Sequence, residues 1–196
     1  MRLLMIGAPG AGKGTQAVRV ADHFGVTHIS SGDLLRDHVK RETSIGRTVK
    51  EYIERGDLVP DAVVLDMLRK PVVAASEAGG YVLDGFPRTV AQAEAAYGTA
   101  KDLGVSVQIA CYLDVPREEL IGRMLSRGRG VEDSREVIER RLDVYEEQTV
   151  PLIHYYRDRE RLVTVNGAAP VEQVTWSLLV QIDRTRKAID KEQEVS

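Results

Sequence analysis

Short apolar runs alternate along the chain with longer stretches in which apolar residues recur at helical spacing. The short runs predict strands near residues 2–6, 27–30, 80–84, 109–114 and 162–166. The longer stretches predict helices near residues 14–24, 33–40, 45–55, 61–77, 89–103, 116–126, 134–156 and 170–188. Strands and helices that alternate in this way indicate parallel strands joined by crossover helices. We therefore expect an α/β fold with a doubly wound, five-stranded parallel sheet, helices on both faces and ligands at the carboxyl ends of the strands.

Residues 7–15 form a glycine-rich turn, Gly-Ala-Pro-Gly-Ala-Gly-Lys-Gly-Thr, between the first predicted strand and the first predicted helix. Glycines let consecutive N–H groups converge on one anion, and the helix N-terminus and Lys13 add positive charge. The turn therefore predicts a phosphate-binding loop, or P-loop, for a nucleoside triphosphate. Gly14 stands where such loops usually carry Ser or Thr, which argues against a generic GTPase or motor ATPase.

The third predicted strand ends in an acid, a turn and an arginine, within the sequence Asp-Gly-Phe-Pro-Arg of residues 84–88. P-loop enzymes keep a magnesium partner at such a strand end, and Asp84 would hold Mg²⁺ through one of its waters. Arg88 follows the rigid Pro87, so its guanidinium can reach back over the strand ends toward a second phosphate. The segment thus predicts magnesium-dependent phosphate chemistry.

Arginines are concentrated in residues 117–141, where seven occur and lysine is absent. Arginine carries a permanent charge on a planar group that matches phosphate oxygens, as transfer of a highly charged group requires. Arg123 and Arg127 share a helix face, whereas Arg129 lies between two glycines. Some of these arginines, Arg117 and Arg135 in particular, have a solvated helix face as an equally good interpretation.

Composition limits the remaining possibilities. The 196 residues, 43% of them hydrophobic, predict one domain with small insertions, and the net charge of −3 disfavours nucleic acid and anionic membrane as partners. Cys111 is the single cysteine, so neither an internal disulfide nor a multi-cysteine zinc site is expected. No apolar stretch approaches the ~18 residues that span a bilayer, and the N-terminal run is too short for a signal peptide. We expect a cytoplasmic location.

Four features in order, namely residues 7–16, residues 28–36, residues 84–89 and Gln92, resemble the adenylate kinase family in its short-lid form. The resemblance covers nearly the whole chain. It implies a single P-loop kinase domain over residues 1–196, with its core in 1–29, 60–125 and 135–196. An AMP-binding insertion would occupy residues 30–59, here called the flap, and a short lid residues 126–134.

The resemblance also implies site residues. For ATP they are Gly10, Ala11, Gly12, Lys13, Gly14, Thr15, Arg123, Arg127 and Ala169. For AMP they are Ser31, Arg36, Asp57, Leu58, Val59, Gly85, Phe86, Pro87, Arg88, Gln92, Arg129 and Arg141. The catalytic set is Lys13, Asp84, Arg88, Arg127, Arg129 and Arg141, with Asp84 also the water-mediated magnesium partner. The amide of Gln92 would recognise adenine through paired donor and acceptor hydrogen bonds.

Two departures from the family pattern affect the lid. The lid has only a few residues and no zinc-binding cysteines, so the resemblance implies no structural zinc. Family members usually have an arginine two residues before the acidic pair that matches Glu132 and Asp133, but here that residue is Gly130 and the arginine is Arg129. If the following helix is out of register, Arg140 could take the place of Arg141.

The implied activity is reversible in-line transfer of the terminal phosphoryl group of ATP to AMP, giving two ADP, with Mg²⁺ as cofactor and a monomer as the working unit. Phosphoryl transfer requires positioning and a cage of cations rather than a nucleophilic side chain. A UMP/CMP kinase would share most motifs, but pyrimidine-specific relatives tend to carry asparagine where this chain has Gln92. A non-catalytic nucleotide-binding regulator is a second alternative. The residues that argue against it are Arg36, Asp84, Arg88 and Gln92.

Overall fold

A computed structural model describes residues 1–159 and 161–195. Its sheet contains β1 (Arg2–Gly7), β2 (Thr27–Ser30), β3 (Tyr81–Asp84), β4 (Ile109–Asp114) and β5 (Leu162–Asn166). The strand order is β2-β3-β1-β4-β5, and each neighbouring pair is parallel. The predicted α/β fold with a five-stranded parallel sheet is confirmed.

Helices surround this sheet. In chain order they are α1 (Lys13–Phe24), α2 (Ser31–Lys40), α3 (Ser44–Arg55), α4 (Asp61–Glu77), α5 (Val90–Asp102), α6 (Arg117–Arg127), α7 (Arg135–Val144), α8 (Val150–Arg157) and α9 (Val171–Val195). A 3₁₀ turn, Gly130–Asp133, lies between α6 and α7, and a π-helical turn, Tyr145–Thr149, lies between α7 and α8.

Two predicted helices differ from the observed ones. The predicted single helix over 134–156 is divided, because Pro151 has no N–H to donate back along the helix and the wider π turn before it accommodates the missing hydrogen bond. The last helix was predicted to end near residue 188 but continues to Val195. Its polar end contains Lys and Glu, which have high helix propensity.

The core explains why these runs form strands. β1 and β4 lie in the middle of the sheet, and Leu3, Leu4, Ile109 and Ala110 are fully buried, as expected where helices cover both faces. β5 lies at an edge and alternates buried with less buried positions. Cys111 is also fully buried and packs in the core, and burial raises the pKa of its thiol to about 12.

The carboxyl end of the sheet is where the chain inserts its extra elements. The P-loop follows β1, α2 and α3 follow β2, and the turn toward α5 follows β3. The helix α3 contacts both the 3₁₀ turn of the lid and α7, so the flap and the lid meet above this end of the sheet. The topology therefore gathers the predicted phosphate-binding segments in one place.

Candidate active site

The P-loop curls tightly because its glycines adopt conformations that other residues avoid. Gly10 has φ +84°, and a Cβ there would lie 3.0 Å from Met124 Cγ and 3.1 Å from the Leu120 carbonyl oxygen. Glycine thus permits α6 to pack directly against the loop. Lys13 begins α1, and its Nζ donates to the Ala8 carbonyl oxygen at 2.9 Å, so the lysine folds back across the loop.

The charge of Lys13 is sensitive to its surroundings. Desolvation lowers the pKa of Lys13 to about 8; the nearby Asp84 opposes this shift, whereas Arg88, Arg141 and Arg127 add to it. An anion bound among these groups would favour the charged lysine. The site is therefore already arranged to hold negative charge beside Lys13.

Asp84 ends β3 and lies beside the first turn of α1. A Cβ built on Gly14 would be 3.7 Å from Asp84 Oδ2, and Asp84 Oδ1 is buried without a hydrogen-bond partner. A buried carboxylate oxygen without a partner is costly unless a water or an ion satisfies it. Oxygen donors are also what magnesium prefers, so the observed arrangement fits a hydrated Mg²⁺.

Ser31, Gly85 and Arg88 form the neighbouring surface. Gly85 has φ +86°, and a Cβ there would lie 2.5 Å from Ser31 Oγ, so a side chain at this turn would displace the serine. The hydroxyl of Ser31 is buried without a partner, and Arg88 Nε donates to the Gly85 carbonyl oxygen at 2.8 Å. The unpartnered hydroxyl of Ser31 and the guanidinium of Arg88 thus both lie beside the turn after β3.

Gln92 lies in the first turn of α5 and is 2% exposed. It lines a small cavity together with Leu58, Val59 and Phe86. Its amide is held by Asp61 and by the Arg88 backbone N–H, at 2.6 and 2.7 Å. The predicted base-recognition residue therefore faces the flap, with its orientation set by protein partners.

Cations line a second cavity of about 120 Å³. We define the cation cluster as Lys13, Arg36, Arg88 and Arg141, which line this cavity, with Arg127, which lowers the pKa of Lys13 and Arg141. Pro87 lines it too. Burial lowers the pKa of Arg141 to about 10. Three of the six residues predicted to be catalytic, Lys13, Arg88 and Arg141, thus line one cavity between P-loop, flap and lid.

Glu132 lies inside the cation cluster. Its carboxylate is 3.7 Å from Arg36 Nη1 and 3.4 Å from Arg141 Nη1, and its side chain is 15% exposed. Sequence reasoning missed this placement. The acidic pair beside so many arginines was the available signal, but it did not show which acid would turn inward.

Asp133 holds the base of the lid. Arg127 donates to both of its carboxylate oxygens, at 2.5 and 3.1 Å, and the Arg129 backbone N–H donates at 2.8 Å. Burial alone would raise the pKa of Asp133, but these hydrogen bonds outweigh it and keep that pKa below its usual value. Arg129 itself is an exposed residue at the edge of the cluster. Partial desolvation, together with the nearby Arg36 and Arg127, lowers the pKa of its guanidinium.

The adjacent residues Arg140 and Arg141 point to different places. Arg141 lines the cavity, whereas the half-exposed Arg140 donates from Nε and Nη2 to Asp57 Oδ1, at 3.1 and 2.9 Å. The geometry therefore favours Arg141, not Arg140, as the arginine of α7 that belongs to the cation cluster. The contact between Asp57 and Arg140 also joins the flap to α7.

Arg123 lies at the other side of the P-loop. Its Nη2 donates to Glu119 at 2.5 Å and to the Gly167 carbonyl oxygen at 3.1 Å, which places it beside the loop that contains Ala169. Ala169 is partly buried against the main core. Arg123 and Ala169, both predicted to bind ATP, are thus near each other.

The two cavities of this site are small, whereas a third cavity elsewhere in the protein is much larger. The cavity lined by Gln92 is about 20 Å³, so neither it nor the cation-lined cavity could admit a nucleotide unless the flap and lid move apart. A larger cavity of about 970 Å³ lies between α4, α5 and the end of α8, and no P-loop residue lines it.

Comparison with known proteins decides the family. The adenylate kinase family profile matches residues 5–161. The chain is 38% identical over 187 residues to an adenylate kinase of Phocaeicola vulgatus, covering 94% of this chain and 99% of that protein. It is 41% identical over 189 residues to one of Trichodesmium erythraeum, covering 94% and 98%, and 44% identical over 185 residues to one of Leptospira biflexa, covering 92% and 99%.

The chain belongs to the adenylate kinase family. The predicted enzyme class, an ATP:AMP phosphotransferase, is thereby confirmed. Within the described part of this adenylate kinase, no three His, Cys, Asp or Glu side chains group as a metal site. Across residues 1–159 and 161–195, no helix has both the length and the apolarity needed to cross a membrane.

Proposed function

We propose that this adenylate kinase transfers the terminal phosphoryl group of ATP to AMP through the cation cluster, with the P-loop holding the donor and the flap holding the acceptor. The observation that carries the proposal is the convergence of Lys13, Arg88 and Arg141 on one cavity at the carboxyl ends of the strands. Such a cage suits a reaction whose transition state spreads negative charge over several oxygens.

On the donor side, residues 10–15 cradle the ATP phosphates with backbone N–H groups at the start of α1. Lys13 leaves the Ala8 carbonyl and follows the transferred group, and Arg127 leaves Asp133 to meet the same phosphates. Arg123 packs on the base, next to Ala169. The proximity of Arg123 to residue 167 supports this assignment.

On the acceptor side, Ser31, Arg36 and Arg88 hold the AMP phosphate. The unpartnered Ser31 hydroxyl supports this role, because it is buried yet free to donate. The backbone of residues 57–59, together with residues 85–87, encloses the nucleoside, and Gln92 contacts the base. Arg129 of the lid and Arg141 of α7 complete the set of cations around the phosphates.

Magnesium accompanies ATP, and Asp84 holds it through water. When bound, Mg²⁺ neutralises donor oxygens and orients the phosphates. The carboxylate of Asp84 would hold the hydrated metal by accepting hydrogen bonds from its waters, a role that the buried and unpartnered Oδ1 supports. The nucleophile is a phosphate oxygen of AMP itself, so no protein side chain attacks the donor.

The flap and the lid exclude water while transfer occurs. Water competes with AMP as acceptor, so a site that stays open would hydrolyse ATP. The ion pair of Arg36 with Glu132 joins the flap to the lid, and that of Asp57 with Arg140 joins the flap to α7. The expected monomeric state and cytoplasmic location remain predictions.

The test is ADP formation from ATP, Mg²⁺ and AMP, with UMP and CMP as rival acceptors and Lys13→Ala as the inactive control. We expect AMP-selective turnover that the variant loses. Preference for UMP or CMP would show that Gln92 does not select adenine, and ATP binding without transfer to any acceptor would support the regulator instead.

A further inference from the structure

The amide of Gln92 has its donor and acceptor ends assigned by two partners. Its Nε2 donates to Asp61 Oδ1 at 2.6 Å, and its Oε1 accepts from the Arg88 backbone N–H at 2.7 Å. A backbone N–H only donates and a carboxylate only accepts, so neither partner can exchange roles. With Gln92 2% exposed, the orientation of its amide is strongly determined.

This orientation leaves one N–H and one oxygen lone pair for a base. They match a 6-aminopurine, whose amino group donates and whose neighbouring ring nitrogen accepts. A 6-oxopurine such as that of IMP has the same size but the opposite donor and acceptor pattern. Gln92 could bind it only after its amide turned by half a rotation, which would set Oε1 against Asp61 and Nε2 against the Arg88 N–H.

We propose that Asp61 is a positioning residue that holds the Gln92 amide in the orientation for AMP and against IMP. The inference rests on the proposed function, because it takes Gln92 as the residue that contacts the acceptor base. Asp61 is well placed for the task. It is the first residue of α4, and its contact with Gln92 ties that helix start to the first turn of α5 across 31 residues of sequence.

A purely structural role for Asp61 makes a different prediction. An acid in the first turn of α4 also interacts favourably with the helix dipole. Asp61→Asn removes the charge but keeps an oxygen that can accept from Gln92, whereas Asp61→Ala removes both. The two variants therefore separate orientation of the amide from stabilisation of the helix.

The experiment measures kcat and KM with AMP and with IMP, at saturating ATP and Mg²⁺, for the wild type and for D61N and D61A. Asp66→Ala is the matched control, since Asp66 is an exposed acid of the same helix that lines the larger cavity rather than the one beside Gln92. Thermal unfolding and KM for ATP are recorded for every variant.

We expect Asp61→Ala to lower the AMP-to-IMP ratio of kcat/KM about tenfold, the effect of losing one hydrogen bond to a charged group, mainly through a higher KM for AMP. Asp61→Asn should keep the ratio within about threefold of the wild type, and Asp66→Ala should leave it unchanged.

A wild-type ratio in D61A, or an equal loss in D61N and D61A, would overturn the proposal. Failure of the proposed function is a separate result, because then the wild type itself would not use AMP.

Discussion

The P-loop and the contact between flap and lid lie at the same end of the sheet, yet they satisfy their charges differently. In the P-loop the donors belong to the backbone, and Lys13 rests on the Ala8 carbonyl. In the flap and lid, arginines rest on carboxylates: Arg36 on Asp33, Arg127 on Asp133 and Arg140 on Asp57. One region is built into the strand ends, and the other is held by side-chain pairs.

This difference indicates how one part of a site can be preorganised while another part changes its conformation. The partly exposed pairs of Arg36 with Asp33 and of Arg140 with Asp57 contribute about 0–1 kcal/mol each, so a phosphate can take the place of these carboxylates at little cost. The P-loop needs no such exchange, because Lys13 donates to a backbone carbonyl and the N-terminus of α1 favours an anion. We infer that the donor cradle stays in place while the acceptor side and lid rearrange.

The largest effect is expected from a substitution in the P-loop. Lys13→Ala should lower kcat about 10³-fold, because a charge aimed at the transferred group is lost. Steady-state ADP formation measures the effect, and circular dichroism should show an unchanged fold. A variant within tenfold of the wild type would mean that the backbone cradle alone stabilises the transition state.

The second-largest effect is expected from substitutions of two neighbouring arginines of α7. Arg141→Ala should lower kcat about 10²-fold, since Arg141 lines the cavity with Lys13 and Arg88. Arg140→Ala is the matched control and should stay within about threefold, because Arg140 pairs with Asp57 near the surface. Equal losses would show that both arginines act through closure rather than through the phosphates.

The third effect uses pH to distinguish Lys13 from the arginines. The pKa of Lys13 is about 8, so in the free enzyme Lys13 is charged below pH 8 and loses that charge above it. The kcat/KM for ATP should therefore be flat from about pH 7 to 7.5 and fall about tenfold by pH 9. Lys13→Arg keeps its charge, so its profile should stay flat over this range; a parallel fall would assign the titration to another group.

The smallest effect concerns the acid inside the cation cluster. Glu132→Gln removes a negative charge that lies within 4 Å of Arg36 and Arg141, so the arginines should bind phosphate without first releasing it. We expect KM for ATP and AMP to fall about threefold. Glu139→Gln is the control, because Glu139 pairs with the exposed Arg135. A higher KM in E132Q would mean that Glu132 orders the arginines instead of competing with phosphate.

The features that sequence predicted well depend on neighbouring residues. The P-loop is a local sequence whose glycines and helix start act together, and Asp84 follows directly from the end of an apolar strand. The order of strands and helices predicted the parallel sheet for the same reason, because each crossover helix leaves little choice in how its strands connect.

The remaining features depend on side-chain direction and on distant contacts. Successive helix residues point about 100° apart, so the choice between Arg140 and Arg141 required the register of α7 against the cavity. The contact between Gln92 and Asp61 joins residues of different helices, which no local pattern reports. Glu132 pairs with Arg36 and Arg141, which belong to two separate helices, and sequence alone does not show that these helices meet.

The most direct test of the account is the single-turnover rate of phosphoryl transfer in R141A and R140A, with ATP, Mg²⁺ and AMP all saturating. Saturation removes differences in binding, so the rate reports stabilisation of the transition state. The account predicts a rate about 10²-fold below wild type for R141A and near wild type for R140A. A wild-type rate in R141A would contradict the claim that the cation cluster carries the chemistry.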